Sequence, residues 1–149
     1  MPDSIDRDQK SIDFERLLDA APHEVFDAWT RPEEVTRWWD PTGAPLSACT
    51  IDLRVDGAFR FVTAGHAPPF EGTYEVIDRP RRLEFRAMGA HGIVELETHG
   101  AGTRMTVSIR CASAEQFEMF VELGVATGTS ATLDNLARQL SQRRLASPR

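Results

Sequence analysis

The chain has 149 residues, of which 41% are hydrophobic and 27% charged, and this balance predicts one folded domain rather than a disordered chain. Its 17 basic and 23 acidic residues give a net charge of −6, and no run of Lys or Arg exceeds two residues, which argues against a nucleic-acid partner. No segment resembles a signal peptide or approaches the roughly 18 apolar residues that cross a bilayer. We therefore expect a cytoplasmic protein with no membrane contact.

The N-terminal part predicts one strand and two short helices. Residues 12–18 alternate in direction as in a strand with one buried face, although Leu17 breaks the apolar–polar pattern. Arg16 falls on the apolar face, and two interpretations of it stay open. Its guanidinium reaches solvent or pairs with a nearby carboxylate of the chain, or it anchors the carboxylate of a ligand. Pro22 then begins a helix that ends near Trp29, and Pro32 begins a second helix that carries Trp38 and Trp39.

A period of two extends from about residue 51 to residue 110, which is typical of an antiparallel sheet with one wet face. The five glutamates on the predicted outer face are Glu71, Glu75, Glu84, Glu95 and Glu97. The residues predicted on the inner face are Phe59, Phe61, Thr63, Phe70, Gly72, Tyr74, Val76, Leu83, Phe85, Ala87, Val94, Leu96, Thr98, Met105, Val107 and Ile109.

The C-terminal third has a helical period. Ser113 is a suitable N-cap, and about 25 residues after it place one wide apolar stripe on a single helix. The stripe comprises Phe117, Val121, Val125, Gly128, Thr132, Leu133, Leu136 and Leu140. We expect an α+β fold: a curved antiparallel sheet of about six to seven strands, wrapped around one long C-terminal helix, with two short helices after the first strand.

Six short motifs occur in the same order in a known superfamily. They are APHEVFDAWT at residues 21–30, RWW at 37–39, DGAFRF at 56–61, FEGTY at 70–74, GTRMT at 102–106 and LDNLA at 133–137. Through these motifs and their order, the chain resembles the START-like (SRPBCC, helix-grip) superfamily. Within the superfamily it resembles the branch named for the activator of heat-shock protein 90 ATPase. The resemblance implies a START-like ligand-binding domain over residues 12–141, between flexible tails at residues 1–11 and 142–149.

The chain departs from the family pattern in its C-terminal helix. The family commonly has Trp where this chain has Thr129, which lies inside the apolar stripe. The missing ring leaves room that neighbouring side chains fill or that extends a cavity, and we favour the cavity. The full-length eukaryotic activator also has a second domain, and its absence from this sequence argues against chaperone activation.

The predicted inner face is poor in reactive groups. Tyr74 is its one titratable side chain, and it carries none of the carboxylate, His, Lys or Cys groups that usually catalyse acid–base or nucleophilic reactions. The four histidines are scattered and Cys49 and Cys111 are isolated, so neither a metal site nor a disulfide is indicated. We expect no catalytic residue, no metal and no cofactor.

We therefore expect non-enzymatic binding of a small apolar or amphipathic molecule between the sheet and the C-terminal helix. Two alternatives stay open: a cyclase- or hydrolase-like enzyme acting on a polyketide or aromatic substrate, and a chaperone-interacting module. A homodimer is a further possible assembly. The expected ligand-binding residues are Trp38, Trp39, Phe59, Phe61, Phe70, Tyr74, Phe85, Leu96, Met105, Val121, Val125 and Thr129.

Overall fold

The computed structural model describes residues 3–40, 46–64 and 69–146. The N-terminal elements are strands β1 (Asp3–Asp6) and β2 (Ser11–Leu18) and helices α1 (Pro22–Thr30) and α2 (Pro32–Val35). The later strands are β3 (Leu46–Ile51), β4 (Ala58–Thr63), β5 (Phe70–Asp78), β6 (Arg82–Ala87), β7 (Ala90–His99) and β8 (Gly102–Arg110). Helices α3 (Ala114–Glu122) and α4 (Val125–Ala146) complete the described chain. None of its helices is long and apolar enough to cross a membrane.

The described strands form one eight-stranded sheet in the order β1-β2-β8-β7-β6-β5-β4-β3, and all neighbours are antiparallel. The helices cover its inner face, and the core lies between them. The α+β helix-grip prediction is confirmed, with eight strands rather than six or seven.

Strand β1 lies within the segment that the sequence predicts to be a tail. Ile5 is its one large apolar residue and is 44% exposed, so the strand has no alternation that a periodicity argument could detect. It is held by pairing with β2 instead. At the other end, α4 continues to Ala146, five residues beyond the predicted end of the domain.

A β-bulge in β5 corrects one predicted side-chain direction. The register shifts between Tyr74, which pairs with Phe85, and Val76, which pairs with Glu84. Because a bulge inserts one residue, it exchanges the two faces of the strand beyond it. Val76 therefore lies on the outer face, where the sequence analysis did not place it, and Ile77 packs against the core.

The predicted long C-terminal helix is two helices. Helix α3 ends at Glu122 with Leu123 as its C-cap, and the next residue, Gly124, has a φ of +76°, the left-handed conformation that commonly ends a helix. A Cβ on Gly124 would meet no atom within 4 Å, so this glycine is required for the turn and not for close packing on the sheet. Periodicity missed the break because the apolar residues of both helices continue one pattern.

Candidate functional site

Eight side chains of the described residues surround a small apolar cavity on one half of the sheet. Its volume is about 20 Å³, which is close to the space that one water molecule needs. The helical segment contributes Trp29 and Trp39, and the sheet contributes Phe59, Phe61, Phe70, Tyr74, Leu83 and Phe85. The cavity therefore lies between residues 22–39, which we call the α1–α2 segment, and strands β4–β6, and no residue of α4 lines it.

Phe59 is the centre of the aromatic wall. Its ring centroid lies 5.4 Å from that of Phe61, 5.6 Å from Phe70 and 5.1 Å from Tyr74. A fourth ring, Phe85, meets it edge-to-face at 5.5 Å. Tilted and edge-to-face contacts at these distances are favourable beyond the burial of area alone, and they give the wall a defined shape.

The adjacent tryptophans Trp38 and Trp39 have different structural roles. Trp38 is 2% exposed and donates a hydrogen bond from Nε1 to the Ala28 carbonyl oxygen at 3.0 Å, so it seals the core. Trp39 is half-buried and closes the cavity against Phe61 and Phe70, with centroid separations of 5.0 and 4.9 Å. Only the second tryptophan contacts the cavity.

Two glycines let aromatic rings lie close to the sheet backbone. Phe59 pairs with Gly72 across β4 and β5, and Phe85 pairs with Gly92 across β6 and β7. A Cβ on Gly72 would come within 2.9 Å of the Phe59 ring, and one on Gly92 within 2.5 Å of the Phe85 ring. The glycine of the FEGTY motif therefore shapes the cavity floor.

Tyr74 is the one lining residue of the described chain that carries a hydroxyl group, and a thiol whose inward direction the sequence analysis missed lies nearby. Burial raises the pKa of Tyr74 well above its usual range, and the neighbouring Cys49 raises it further. Burial also raises the pKa of Cys49 to about 11. Cys49 pairs with Phe61 and so faces inward. Strand β3 lay outside the period-two segments from which the inner face was predicted. Both groups are neutral near pH 7.

The five predicted outer-face glutamates do lie on the outer face, where each meets a basic side chain. Glu71 pairs with Arg60, Glu97 with Arg104 and Glu95 with Arg82; Glu75 pairs with Arg86 and His91, and Glu84 with Arg82 and His91. Burial acts to raise the pKa of Glu84, but the hydrogen bonds and the charge attraction of Arg82 and His91 together outweigh it and lower this pKa. No glutamate of this set enters the cavity.

The structure brings together half of the twelve expected ligand-binding residues. Trp39, Phe59, Phe61, Phe70, Tyr74 and Phe85 line the cavity, together with Trp29 and Leu83, which the sequence analysis did not include. Trp38, Leu96 and Met105 are buried in the core instead, and Val121, Val125 and Thr129 are half-buried on α3 and α4, outside the lining. The alternation of side chains along a strand identifies the inner face but does not divide that face between core and cavity.

Arg16 joins the two terminal segments of the chain. Its guanidinium lies 2.6 Å from Oδ1 of Asp3 and 2.8 Å from Oδ1 of Asp134, and it donates a hydrogen bond to Oγ of Ser130 at 2.8 Å. These partners lie on β1 and α4. Of the two alternatives for Arg16, pairing with carboxylates is the one observed.

The family comparison settles the relationship that the motifs indicated. The family model described as "Activator of Hsp90 ATPase homolog 1-like protein" matches residues 19–141. The chain belongs to this family. No protein with a curated description matches it.

Several solved structures share the fold at low sequence identity. A protein from Arthrobacter aurescens has a TM-score of 0.85 at 24% identity, covering 95% of this chain and 92% of its own. Protein Ms6760 from Mycobacterium smegmatis has a TM-score of 0.83 at 18% identity, covering 96% and 98%. The Aha1 dimer from Colwellia psychrerythraea has a TM-score of 0.73 at 15% identity, covering 87% and 95%. At these identities the likeness establishes the fold alone.

Proposed function

We propose that this chain binds a small, neutral apolar or amphipathic molecule in the aromatic cavity, without transforming it. The observation that carries the proposal is a lining to which the described part of the chain contributes seven aromatic side chains and one leucine. Such a lining with a single hydroxyl is typical of sites that bind by burial and orient the ligand with one hydrogen bond. Tyr74 supplies that hydroxyl, and its raised pKa keeps it a neutral phenol.

The cavity has to open before a ligand enters. Its volume of about 20 Å³ is far below the roughly 300 Å³ of a small ligand pocket. Trp39, Phe70 and Phe85 are half-buried, so their rings border solvent as well as the cavity. Rotation of these rings away from Phe59 is the movement we expect on binding.

The test uses 1-aminoanthracene, a neutral fluorescent aromatic probe, titrated against the native protein. We expect saturable binding with a Kd in the micromolar range, equivalent to roughly 8 kcal/mol, and displacement by other neutral aromatic compounds. Because ligand binding changes the environment of the Trp39 ring, the tryptophan emission should shift during the titration.

Two leucines provide a matched pair of variants. Leu83 and Leu96 are both buried on the inner face, 2% and 4% exposed, but only Leu83 lines the cavity. Leu83→Ala should enlarge the cavity and tighten probe binding, whereas Leu96→Ala should leave it unchanged. Leu83→Phe should fill the space and weaken binding. Equal effects of the two alanine variants would contradict the proposed site.

A further inference from the structure

Three exposed apolar side chains belong to α3, to its C-cap residue and to the β6–β7 turn that a side chain of α3 contacts. Met88, Met119 and Leu123 are 59%, 51% and 70% exposed. Gln116 donates a hydrogen bond from Nε2 to the Met88 carbonyl oxygen at 3.1 Å, which holds the β6–β7 turn against the helix. At 100° per residue, Gln116, Met119 and Leu123 fall within an arc of about 60°. We call Met88, Met119 and Leu123 the α3 patch.

Met88 occupies a backbone position that does not favour methionine. It forms the two-residue turn between β6 and β7 with Gly89, and the two residues have φ values of +55° and +76°. Positive φ at both positions is the type I′ pattern, in which Asn and Gly are preferred. A methionine here costs free energy, and its exposed side chain recovers little by packing. Such an outlier indicates a functional reason for the side chain.

One border of the patch is negatively charged. Glu115, Glu118 and Glu122 lie on α3 within an arc of about 60° next to that of Met119 and Leu123, and α3 contains no Lys or Arg. Glu118 pairs with Arg7, but among the described residues neither Glu115 nor Glu122 forms an ion pair. The apolar strip therefore has uncompensated carboxylates along one side.

We propose that the α3 patch docks a basic amphipathic helix of another protein. Exposed methionines adapt to partners of different shape, and an amphipathic helix would place apolar residues on the patch and Lys or Arg beside Glu115 and Glu122. A second copy of the chain fits less well, because it would bring the same carboxylates together in a protein of net charge −6.

The test measures fluorescence polarisation of a labelled 18-residue peptide with leucines at helical spacing and Lys or Arg elsewhere. A comparison peptide has Glu in place of every basic residue. The basic peptide should bind the native protein in the micromolar range, and the acidic one should not. The double variant Met119→Ser/Leu123→Ser should weaken binding by about tenfold, or about 1.4 kcal/mol. Glu115→Gln/Glu122→Gln should weaken it severalfold and reduce its dependence on salt.

Two further variants separate docking from general charge attraction. Val55→Ser removes an apolar side chain that is 55% exposed elsewhere, and it should leave peptide binding unchanged. Met88→Asn should raise or preserve the melting temperature while weakening binding. Equal binding of both peptides, no binding, or equal loss in Val55→Ser overturns the proposal. A dimer seen in sedimentation that the double variant dissociates also overturns it, because the patch would then be a self-interface.

Discussion

The inner face of the sheet is covered in two different ways. On β2, helix α4 packs with Leu133, Leu136 and Leu140, all at most 2% exposed, and Arg16 ties the helix to β1 and β2. On β4–β6, the α1–α2 segment closes the sheet through aromatic rings, of which Trp39 is half-buried. The first half is closely packed and ionically fixed. The second keeps a void and rings that reach solvent, so we expect it to be the half that responds to a ligand.

The largest expected effect lies in the closely packed half. Leu136→Ala removes a fully buried side chain and should lower the free energy of unfolding by about 2–5 kcal/mol. Phe85→Leu, on the aromatic half, removes atoms from a partly exposed ring and should cost about 1 kcal/mol. Urea unfolding of both variants measures the difference. A greater loss from Phe85→Leu would remove the contrast between the halves.

The two cavity-floor glycines should differ in a similar way. A Cβ on Gly72 would lie 2.1 Å from the Arg86 carbonyl oxygen, so Gly72→Ala strains the backbone and should cost about 1–3 kcal/mol. The nearest atoms to a Cβ on Gly92 belong to the Phe85 ring, and we expect this ring to shift toward the void that it lines. We expect a smaller loss of stability there, with weaker 1-aminoanthracene binding. Unchanged probe affinity in Gly92→Ala would show that the void is not the binding site.

Thr129 tests whether α4 takes part in binding. Because Thr129 is half-buried outside the cavity lining, Thr129→Trp should change the probe affinity by less than about twofold, or about 0.4 kcal/mol. If the cavity extended to Thr129, as the missing family tryptophan suggested, Thr129→Trp would fill that space and weaken probe binding by about tenfold. The titration of this variant distinguishes a site confined to β4–β6 from one that reaches α4.

The smallest effect concerns pH and the ionic contact at β1. The hydrogen bond from Arg16 lowers the pKa of Asp3 below its usual range. Asp3 therefore stabilises the fold above its unfolded pKa near 3.9, and the contribution is lost as the pH falls through the lowered folded value. Since the Asp3 side chain is 37% exposed, screening keeps the contribution below about 1 kcal/mol. Asp3→Asn should reduce the pH dependence of unfolding between pH 5 and pH 2; an identical profile would show that the contact contributes nothing.

The sequence predicted the architecture better than the site. Period-two segments placed Phe59, Phe85 and their neighbours on the inner face because each strand there alternates regularly. The bulge in β5 moved the side chain of Val76 from the predicted inner face to the outer face. Gly124 ended a helix that the apolar pattern alone would continue. The division of the inner face depends on how the α1–α2 segment lies over it, and Trp29 became a lining residue through that tertiary contact. No local pattern encodes such a contact.

The central claim is that the aromatic half of the sheet binds the ligand. The most direct measurement is of intermolecular nuclear Overhauser effects between bound 1-aminoanthracene and the assigned side chains of the protein. The account predicts contacts from the probe to the rings of Trp39, Phe59 and Phe85 and to the methyl groups of Leu83. Contacts to Met119 and Leu123 on α3 instead, or to the leucines of α4, would contradict it.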